Sequence, residues 1–435
     1  MADDLGYGDI GCYGSQIGTP NIDQLAREGI RFTDYYAAAP NCSPSRAGLL
    51  TGRTPSRVGV YDYIAPDSPV HLLPEEVTIA ELLKPVGYDT CHVGKWHLSS
   101  WQRDPNAPLV APTPSAQGFD YWFATDNNAI PSHHNPTNFI RNGQPIGPLE
   151  GYACQIVADE AIGWLENRES NEKPFFLNVW FNEPHRKIAS PPDIVRQYDS
   201  LSENDALYFA NVTNLDDAVG RVLSTLDEMN VRENTLVFFT SDNGPWRNNS
   251  SGPLRAKKSS LYEGGIRVPG IMRWPGHIKA GIESQTPVSA VDIFPTIAAI
   301  NNLQLPSDKT IDGTNLLPLL QGSQFARTTP LFWFFYKSTP MCVVRDGDYV
   351  IAANPAETYR SNSHPFDQTD FGYLKNAKMS RFELYNVRTD IGQERDIASE
   401  TPQQLKSLTE SLLRVHQNVI AEGPTWRNLP PDEPR

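Results

Sequence analysis

Apolar residues recur near a 3.6-residue spacing in four stretches, "NIDQLAREG", "VTIAELLKPVG", "YACQIVADEAIGWLEN" and "ENDALYFANVTNLDDAVGRVLSTLDEMN", and that spacing predicts helices. Between them lie "YDTCHVG", "PFFLNVWF" and "NTLVFFTSDNG", short apolar runs that read as strands buried on both faces. Strands alternating with helices give an α/β fold with a large mixed, mainly parallel sheet flanked by helices. After about residue 325 the style changes. "LFWFFYK", "MCVVRDGDYVIAA" and "RFELYNV" are strand-like, with Asp346 and Gly347 as a hairpin-turn signal, and "TPQQLKSLTESLLRVHQNVIA" has helical periodicity. The chain therefore divides into a large unit, 1–325, and a smaller C-terminal one, 326–435, an antiparallel sheet with one packing helix. The Pro-rich tail after Gly423 is expected to be poorly ordered.

Charge narrows the functional classes. Lys plus Arg number 37 against 51 Asp plus Glu, a net charge of -14 over 435 residues. This disfavours unspecific binding to nucleic acid or an anionic membrane, so any anion the protein handles must be drawn in by local positive charge. The same balance suits a pocket acting on chain ends or small fragments better than a groove clamping a long polyanion. No apolar run is long enough to span a bilayer. The five cysteines (Cys12, Cys42, Cys91, Cys154, Cys342) are odd in number and unpatterned, which supports neither a disulfide framework nor a CxxC zinc site. Cys12, Cys91 and Cys154 sit in apolar elements and are expected in the core.

In an α/β sheet, chemistry belongs at the C-terminal ends of the parallel strands. "FFTSDNG" presents Asp242 and Asn243 there, and "ADDLGYGD" offers Asp3 and Asp4 ahead of a Gly-rich turn. Three carboxylates and an amide form an oxygen-only set that suits a hard cation, Ca²⁺ before Mg²⁺. Either piece alone is also an ordinary turn or capping sequence. "NCSPSRAGLLTG" places Cys42 in the first turn of a helix, with Pro44 inside it, where backbone N–H groups converge. Taken alone, Cys42 is either a thiolate of lowered pKa or a small buried side chain.

"CSPSRAGLLTG" resembles the signature of the type I sulfatases of the alkaline phosphatase superfamily, in which Cys-x-Pro-x-Arg directs oxidation of the cysteine to formylglycine. The resemblance extends through "ADDLGYGDIGCYGS", "TPNIDQLAREGIRFTDYYAAAPN", "GYDTCHVGKWHL", "QGFDYW", "TSDNG" and "LYEGGIRVPGI" in the family's order. It implies that Asp3, Asp4, Asp242 and Asn243 hold calcium (magnesium being possible) and that position 42 becomes formylglycine through a formylglycine-generating or anaerobic maturation enzyme. Arg46 would orient the hydrated aldehyde, Lys95 would contact it and the sulfate, and His97 would act as a base. Lys95 and His97 belong to "GKWHL", read as an extended segment whose period of two sends both side chains the same way. His185 in "NEPHRK" and Lys258 in "LRAKKSSLYEGG" match the family's sulfate-binding and leaving-group-protonating positions. Lys258 is chosen over Lys257 because it stands four residues before Tyr262.

The implied substrate is a sulfate ester on a sugar of galactose or N-acetylgalactosamine type, or an aryl sulfate. Asn127, Asn128, His133 and His134, in "ATDNNAIPSHHNP", are candidate sugar contacts. Two other readings stay open: a phosphomonoester or phosphodiester hydrolase of the same superfamily, and an inactive sulfated-glycan binder. Family resemblance also implies a periplasmic or secreted protein, yet "MADDLGYGD" has no signal-peptide pattern. Family members carry a buried apolar strand before the paired aspartates. The expectation is therefore that the natural product begins upstream of Met1, with Asp3 and Asp4 here on a frayed end.

Overall fold

The computed structural model describes residues 1–66, 68–101, 112–170, 172–357, 366 and 368–426. One sheet has five strands in the order Gln144–Pro145, Ile140–Arg141, Tyr121–Thr125, Asp89–Lys95 and Phe175–Trp180. Asp89–Lys95 pairs in parallel with Tyr121–Thr125 and with Phe175–Trp180. All its residues after Asp89 are buried, as a central strand requires. A second sheet runs Ile282–Ser284, Ile30–Phe32, Gly270–Arg273, Val237–Thr240. Its first pair is parallel, whereas Gly270–Arg273 is antiparallel to both neighbours. The arrangement is a mixed sheet system with helices packed on it, and the long periodic helices fall where expected, at Ala153–Glu166 and Glu203–Glu228.

The first two residues stitch the sheets together. Phe181 N donates to Met1 O (3.0 Å) beside Phe175–Trp180, and the Met1 ammonium donates to Val179 O at 2.7 Å. On the other side Ala2 N donates to Thr240 O (2.8 Å) and Asp242 N to Ala2 O (3.2 Å). Asp3 and Asp4 are accordingly 0% exposed. This corrects the expectation of a frayed end, because two strands hold the backbone on both sides. Behind the seam, between Phe175–Trp180 and Val237–Thr240, lies a cavity of about 950 Å³ lined largely by apolar side chains, among them Phe176, Val179, Leu223 and Phe238.

Buried polar groups on the long helix have specific tasks. Asp216 accepts from the N–H groups of Asn21 (3.0 Å) and Ile22 (2.8 Å), the first free donors of the Pro20–Arg27 helix. The C-terminal sheet is antiparallel, Leu331–Phe335, Met341–Asp346, Tyr349–Pro355, Met379–Asn386, with helix Pro402–Glu422 packed against it. Gly347 at φ 57° turns the Met341–Asp346 hairpin. Arg345 of this sheet reaches Asp34 at 2.5 Å, and Trp333 Nε1 donates to Ala37 O at 2.8 Å. Beyond Gly423, Trp426 is buried and donates to Gly59 O at 2.7 Å, so that part of the tail is docked. The remainder of the expected tail, 427–435, lies outside the described residues.

Candidate active site

Four strand or helix ends converge. Asp3 and Asp4 leave the seam, Cys42 begins the Cys42–Thr51 helix, Lys95 ends its strand, and Asp242 and Asn243 follow Val237–Thr240. Every residue of the Cys42–Thr51 helix is buried, which fixes its first turn by packing on all sides. Gly94 has φ 100°, and a Cβ there would lie 1.8 Å from Trp180 O. Only glycine lets the strand pass this close to its neighbour before delivering Lys95.

Cys42 is 2% exposed, with its Sγ 3.2 Å from Lys258 Nζ and 3.6 Å from Asp3 Oδ1. Burial pushes its thiol up to about 12 against the opposing pull of Lys258 and Lys95. Of the two readings open for Cys42 taken alone, the geometry favours the small buried side chain over the thiolate of lowered pKa, because desolvation outweighs both ammonium groups. The side chains beside Cys42 are held as well, with Asn41 Nδ2 on Asp62 Oδ1 at 2.5 Å and Ser43 Oγ accepting from Ile64 N at 3.0 Å.

Three cations neutralise the three carboxylates. Arg46 donates Nε and Nη2 to Asp242 Oδ2 (3.1 and 2.7 Å), donates Nη1 to Lys95 O (3.1 Å), and lies 5.0 Å from the Trp180 ring. Lys95 Nζ meets Asp3 Oδ2 at 2.7 Å, and Lys258 Nζ meets both oxygens of Asp4 at 2.7 and 2.8 Å. Burial raises the Asp3 carboxyl, but Lys95, His185 and Arg46 together outweigh it and hold the group at about 2. Burial disfavours the Lys258 ammonium too, yet Asp4, Cys42, Asp3 and Asp242 place it well above its ordinary value. His185 Nε2 stands 3.5 Å from Asp4 Oδ2, and burial lowers its pKa despite that neighbour.

His97 departs from expectation. The strand ends at Lys95, and His97 has φ 54°, so the period of two does not carry through to it. Its N–H donates to Asp126 O at 2.8 Å, and its Nε2 meets Ile64 O at 3.1 Å. A carbonyl only accepts, so Nε2 carries the proton and the buried Nδ1, without a partner among the described residues, is a bare acceptor. Burial, with Lys95 and Arg46, keeps the ring neutral by holding its pKa well below the usual value.

The donor set fits a hard cation. Asp4 Oδ1 accepts from Asn243 Nδ2 at 2.6 Å, Asp4 N donates to Asp242 Oδ1 at 3.0 Å, and the buried Asn243 Oδ1 has no hydrogen-bond partner among the described residues. Carboxylate oxygens of Asp3 and Asp242 lie within 4.8 Å of each other and of Cys42 Sγ. Three carboxylates against Arg46, Lys95 and Lys258 sum to zero, so a divalent cation would leave the pocket at +2 with His185 neutral. A net positive pocket inside an acidic protein selects an anion.

The sugar-contact candidates separate. Asn128 Oδ1 is 3.4 Å from Lys95 Nζ, at the site, and Asn127 is adjacent, its carbonyl accepting from Thr125 Oγ1 (2.7 Å) and Asn182 Nδ2 (3.3 Å). His133 is buried, 3.2 Å from Asn211 Nδ2 and 3.8 Å from Glu183 Oε1. Its pKa falls to about 3, chiefly through burial. His134 is exposed against Tyr152, ring centroids 4.8 Å apart. Sequence reasoning missed Glu183, whose carbonyl accepts from Asp3 N at 2.9 Å and whose carboxyl burial raises to about 7. Its position just past Phe175–Trp180, two residues before His185, was the available signal.

A sulfatase family model matches residues 1–303, and one described as the C-terminal part of N-sulphoglucosamine sulphohydrolase matches 256–415. The N-acetylgalactosamine-6-sulfatase of Homo sapiens is 37% identical over 365 residues, covering 77% of this chain and 67% of the relative. Arylsulfatase A of Homo sapiens is 34% identical over 474 residues, covering 98% and 89%. Among solved structures the chain is similar to Ps i-CgsB in complex with k-i-k-neocarrahexaose, with TM-score 0.81, 27% identity and coverage of 98% and 92%. The phosphonate monoester hydrolase of Agrobacterium radiobacter, 20% identical with TM-score 0.66 and coverage of 96% and 94%, shares the fold. A metal site and formylglycine are general features of the sulfatases. With both the family model and relatives of this identity spanning most of its length, the chain belongs to the sulfatase family and is a sulfuric ester hydrolase.

Proposed function

We propose that the protein hydrolyses sulfate esters of galactose-type or N-acetylgalactosamine sugars, using formylglycine made from Cys42 and Ca²⁺ held by Asp3, Asp4, Asp242 and Asn243. The observation that carries this reading is the placement of Cys42 Sγ 3.2 Å from Lys258 and 3.6 Å from Asp3, at the one point where the carboxylates and cations meet. The sugar class is supported by relatives named N-acetylgalactosamine-6-sulfatase. The cation would supply charge stabilisation for oxygen at sulfur. The aldehyde, as its hydrate, would supply one oxygen to attack sulfur and a second hydroxyl to expel the sulfate, which a thiol or serine lacks.

The chain's own groups supply the rest. Lys95, Lys258 and His185 surround the sulfate and offset the charge that grows on its oxygens. Lys258, protonated throughout the neutral range, donates a proton to the leaving sugar alkoxide. His97, neutral, accepts a proton at Nδ1. Arg46 is tied to Asp242 and to the Lys95 carbonyl, and so keeps helix and strand ends in register around Cys42. Asn128 beside Lys95 is the best-placed of the four candidate sugar contacts.

The test is sulfate release from galactose and N-acetylgalactosamine monosulfates by protein produced with and without a formylglycine-generating enzyme. Release that depends on that enzyme is expected. Equal release without it would contradict the Cys42 assignment, and turnover of phosphate esters in preference to sulfate would favour the phosphohydrolase reading.

A further inference from the structure

Three cations at the edge of the site have no part in the chemistry above. Arg186 and Lys187 follow His185 directly, and both are exposed; Lys257 precedes Lys258 and is half-buried. The Arg186 guanidinium lies 4.1 Å from the Trp246 ring, and Trp246 is itself fixed by its Nε1 donating to Pro184 O at 3.1 Å. Two residues further on, Asn248 Oδ1 accepts from Lys257 Nζ at 2.6 Å. The 246–248 segment thus ties Arg186 to Lys257. On the inner side, His185 and Lys258 share one carboxylate, Asp4, at 3.5 and 2.7 Å. Arg186 and Lys257, each next in sequence to one of the two sulfate-facing groups, are thus joined through one segment, and Lys187 follows Arg186.

None of the three forms an ion pair with a carboxylate among the described residues, whereas Arg247, in the same segment, pairs with Asp205. Three such cations beside two site residues in sequence depart from the net charge of -14. Surface cations in an acidic protein lower the local potential barrier to an anion. Stacking on Trp246 fixes the plane of the Arg186 guanidinium, and that fork suits a planar or tetrahedral oxyanion, while the lysines add point charge.

We propose that Arg186, Lys187 and Lys257 form a subsite for a second anionic group of the substrate, a sulfate or a carboxylate on the same sugar or the next one. This rests on the sulfatase reading above and adds to it that the preferred sugar is at least doubly charged.

The experiment compares the matured full chain with Arg186→Ala, Lys187→Ala, Lys257→Ala and the triple variant. The substrates are 4-nitrophenyl sulfate, a hexosamine monosulfate, the matching disulfate, and a monosulfated disaccharide bearing a uronate. At low salt the doubly charged sugar should show a KM about tenfold below the monosulfate, since each partly exposed pair contributes modestly. The triple variant should abolish that difference and leave kcat on 4-nitrophenyl sulfate unchanged, and raising the salt should erode the advantage in the parent. Whichever of the disulfate and the uronate shows the lower KM identifies the anion. Equal KM for singly and doubly charged sugars, or an equal KM rise for 4-nitrophenyl sulfate in the triple variant, would overturn the proposal. Should no sulfate ester be hydrolysed, the sulfatase reading fails separately. Calorimetric binding of the disulfate against the monosulfate then decides the subsite, with the same preference and the same loss in the triple variant required.

Discussion

At the scale of single residues, Lys258 and His185 divide the work that sequence alone assigned to them jointly. Both face Asp4, but Asp4 and its neighbours raise the Lys258 ammonium well above its ordinary value while burial lowers the His185 imidazole, which is why Lys258 is the group we propose as proton donor to the leaving group. Replacing Lys258 by Ala should lower kcat by about 10²–10⁴ on sugar sulfates, whose alkoxides need a proton. The loss on 4-nitrophenyl sulfate should be smaller, because that phenolate leaves unaided. Equal losses on the two substrates, measured side by side, would refute the assignment. Cys42→Ala should abolish turnover with an unchanged thermal midpoint. Position 42 was legible because Cys, Pro and Arg at fixed spacing, followed by a Gly-Leu-Leu-Thr-Gly run, seldom coincide by chance, whereas Lys258 and His185 were reached only through the family resemblance. Glu183 and the burial of His133 were not legible, because a lone Glu or His in a polar stretch does not announce burial.

At the scale of elements, the long helices and central strands could be read from periodicity, whereas Ile30–Phe32 and Gly270–Arg273 could not. Three or four residues are too few to show a period, and these strands are fixed by partners far away in sequence, Ile282–Ser284 and Val237–Thr240 among them. The same long-range logic buries carboxyls whose titration is measurable. Burial raises Asp216, at the start of Pro20–Arg27, to about 6, against the lowering effect of the Ile22 and Asn21 N–H groups. Burial likewise raises Asp9 to about 6, against Tyr208, Ser250 and the Gly6 N–H. Each folded pKa lies above the unfolded value of 3.8, so the folded state holds these protons more tightly. Their contribution to stability is complete below about pH 4 and is lost as pH rises through 6. The buried histidines His97, His133 and His185, whose pKa values burial lowers, work in the opposite sense over the same range. The carboxyl share is therefore read by difference: Asp216→Asn should lower the thermal midpoint at pH 5 relative to that at pH 7.5 when compared with the parent, and an unchanged difference would show that Asp216 is not among the groups responsible. Asp3, held at about 2, works in the opposite sense and only in stronger acid, its contribution falling away below about pH 4.

At the scale of the whole molecule, one seam and one buried charge cluster organise the protein. Met1 and Ala2 join the two sheets and so deliver Asp3 and Asp4, while Asp34, gripped by Arg267 and Arg345 at 2.5 Å each, docks the C-terminal sheet beside the strands that carry the site. The mixed α/β order and the change of style near residue 325 were legible as changes of pattern. The docking was not, because Arg345 and Asp34 stand 311 residues apart. The site's balance of three carboxylates and three cations predicts that chelation removes activity without unfolding the chain. Ca²⁺ or Mg²⁺ should restore activity better than Zn²⁺, as expected for an oxygen-only set. Restoration by Zn²⁺ alone would contradict that set. The central claim, that chemistry runs through an oxidised Cys42, is tested most directly by mass spectrometry of the peptide spanning residue 42 in active protein. The account predicts an aldehyde in place of the thiol, in a fraction that rises and falls with specific activity across preparations. A wholly unmodified thiol in protein that still hydrolyses sulfate esters would contradict it.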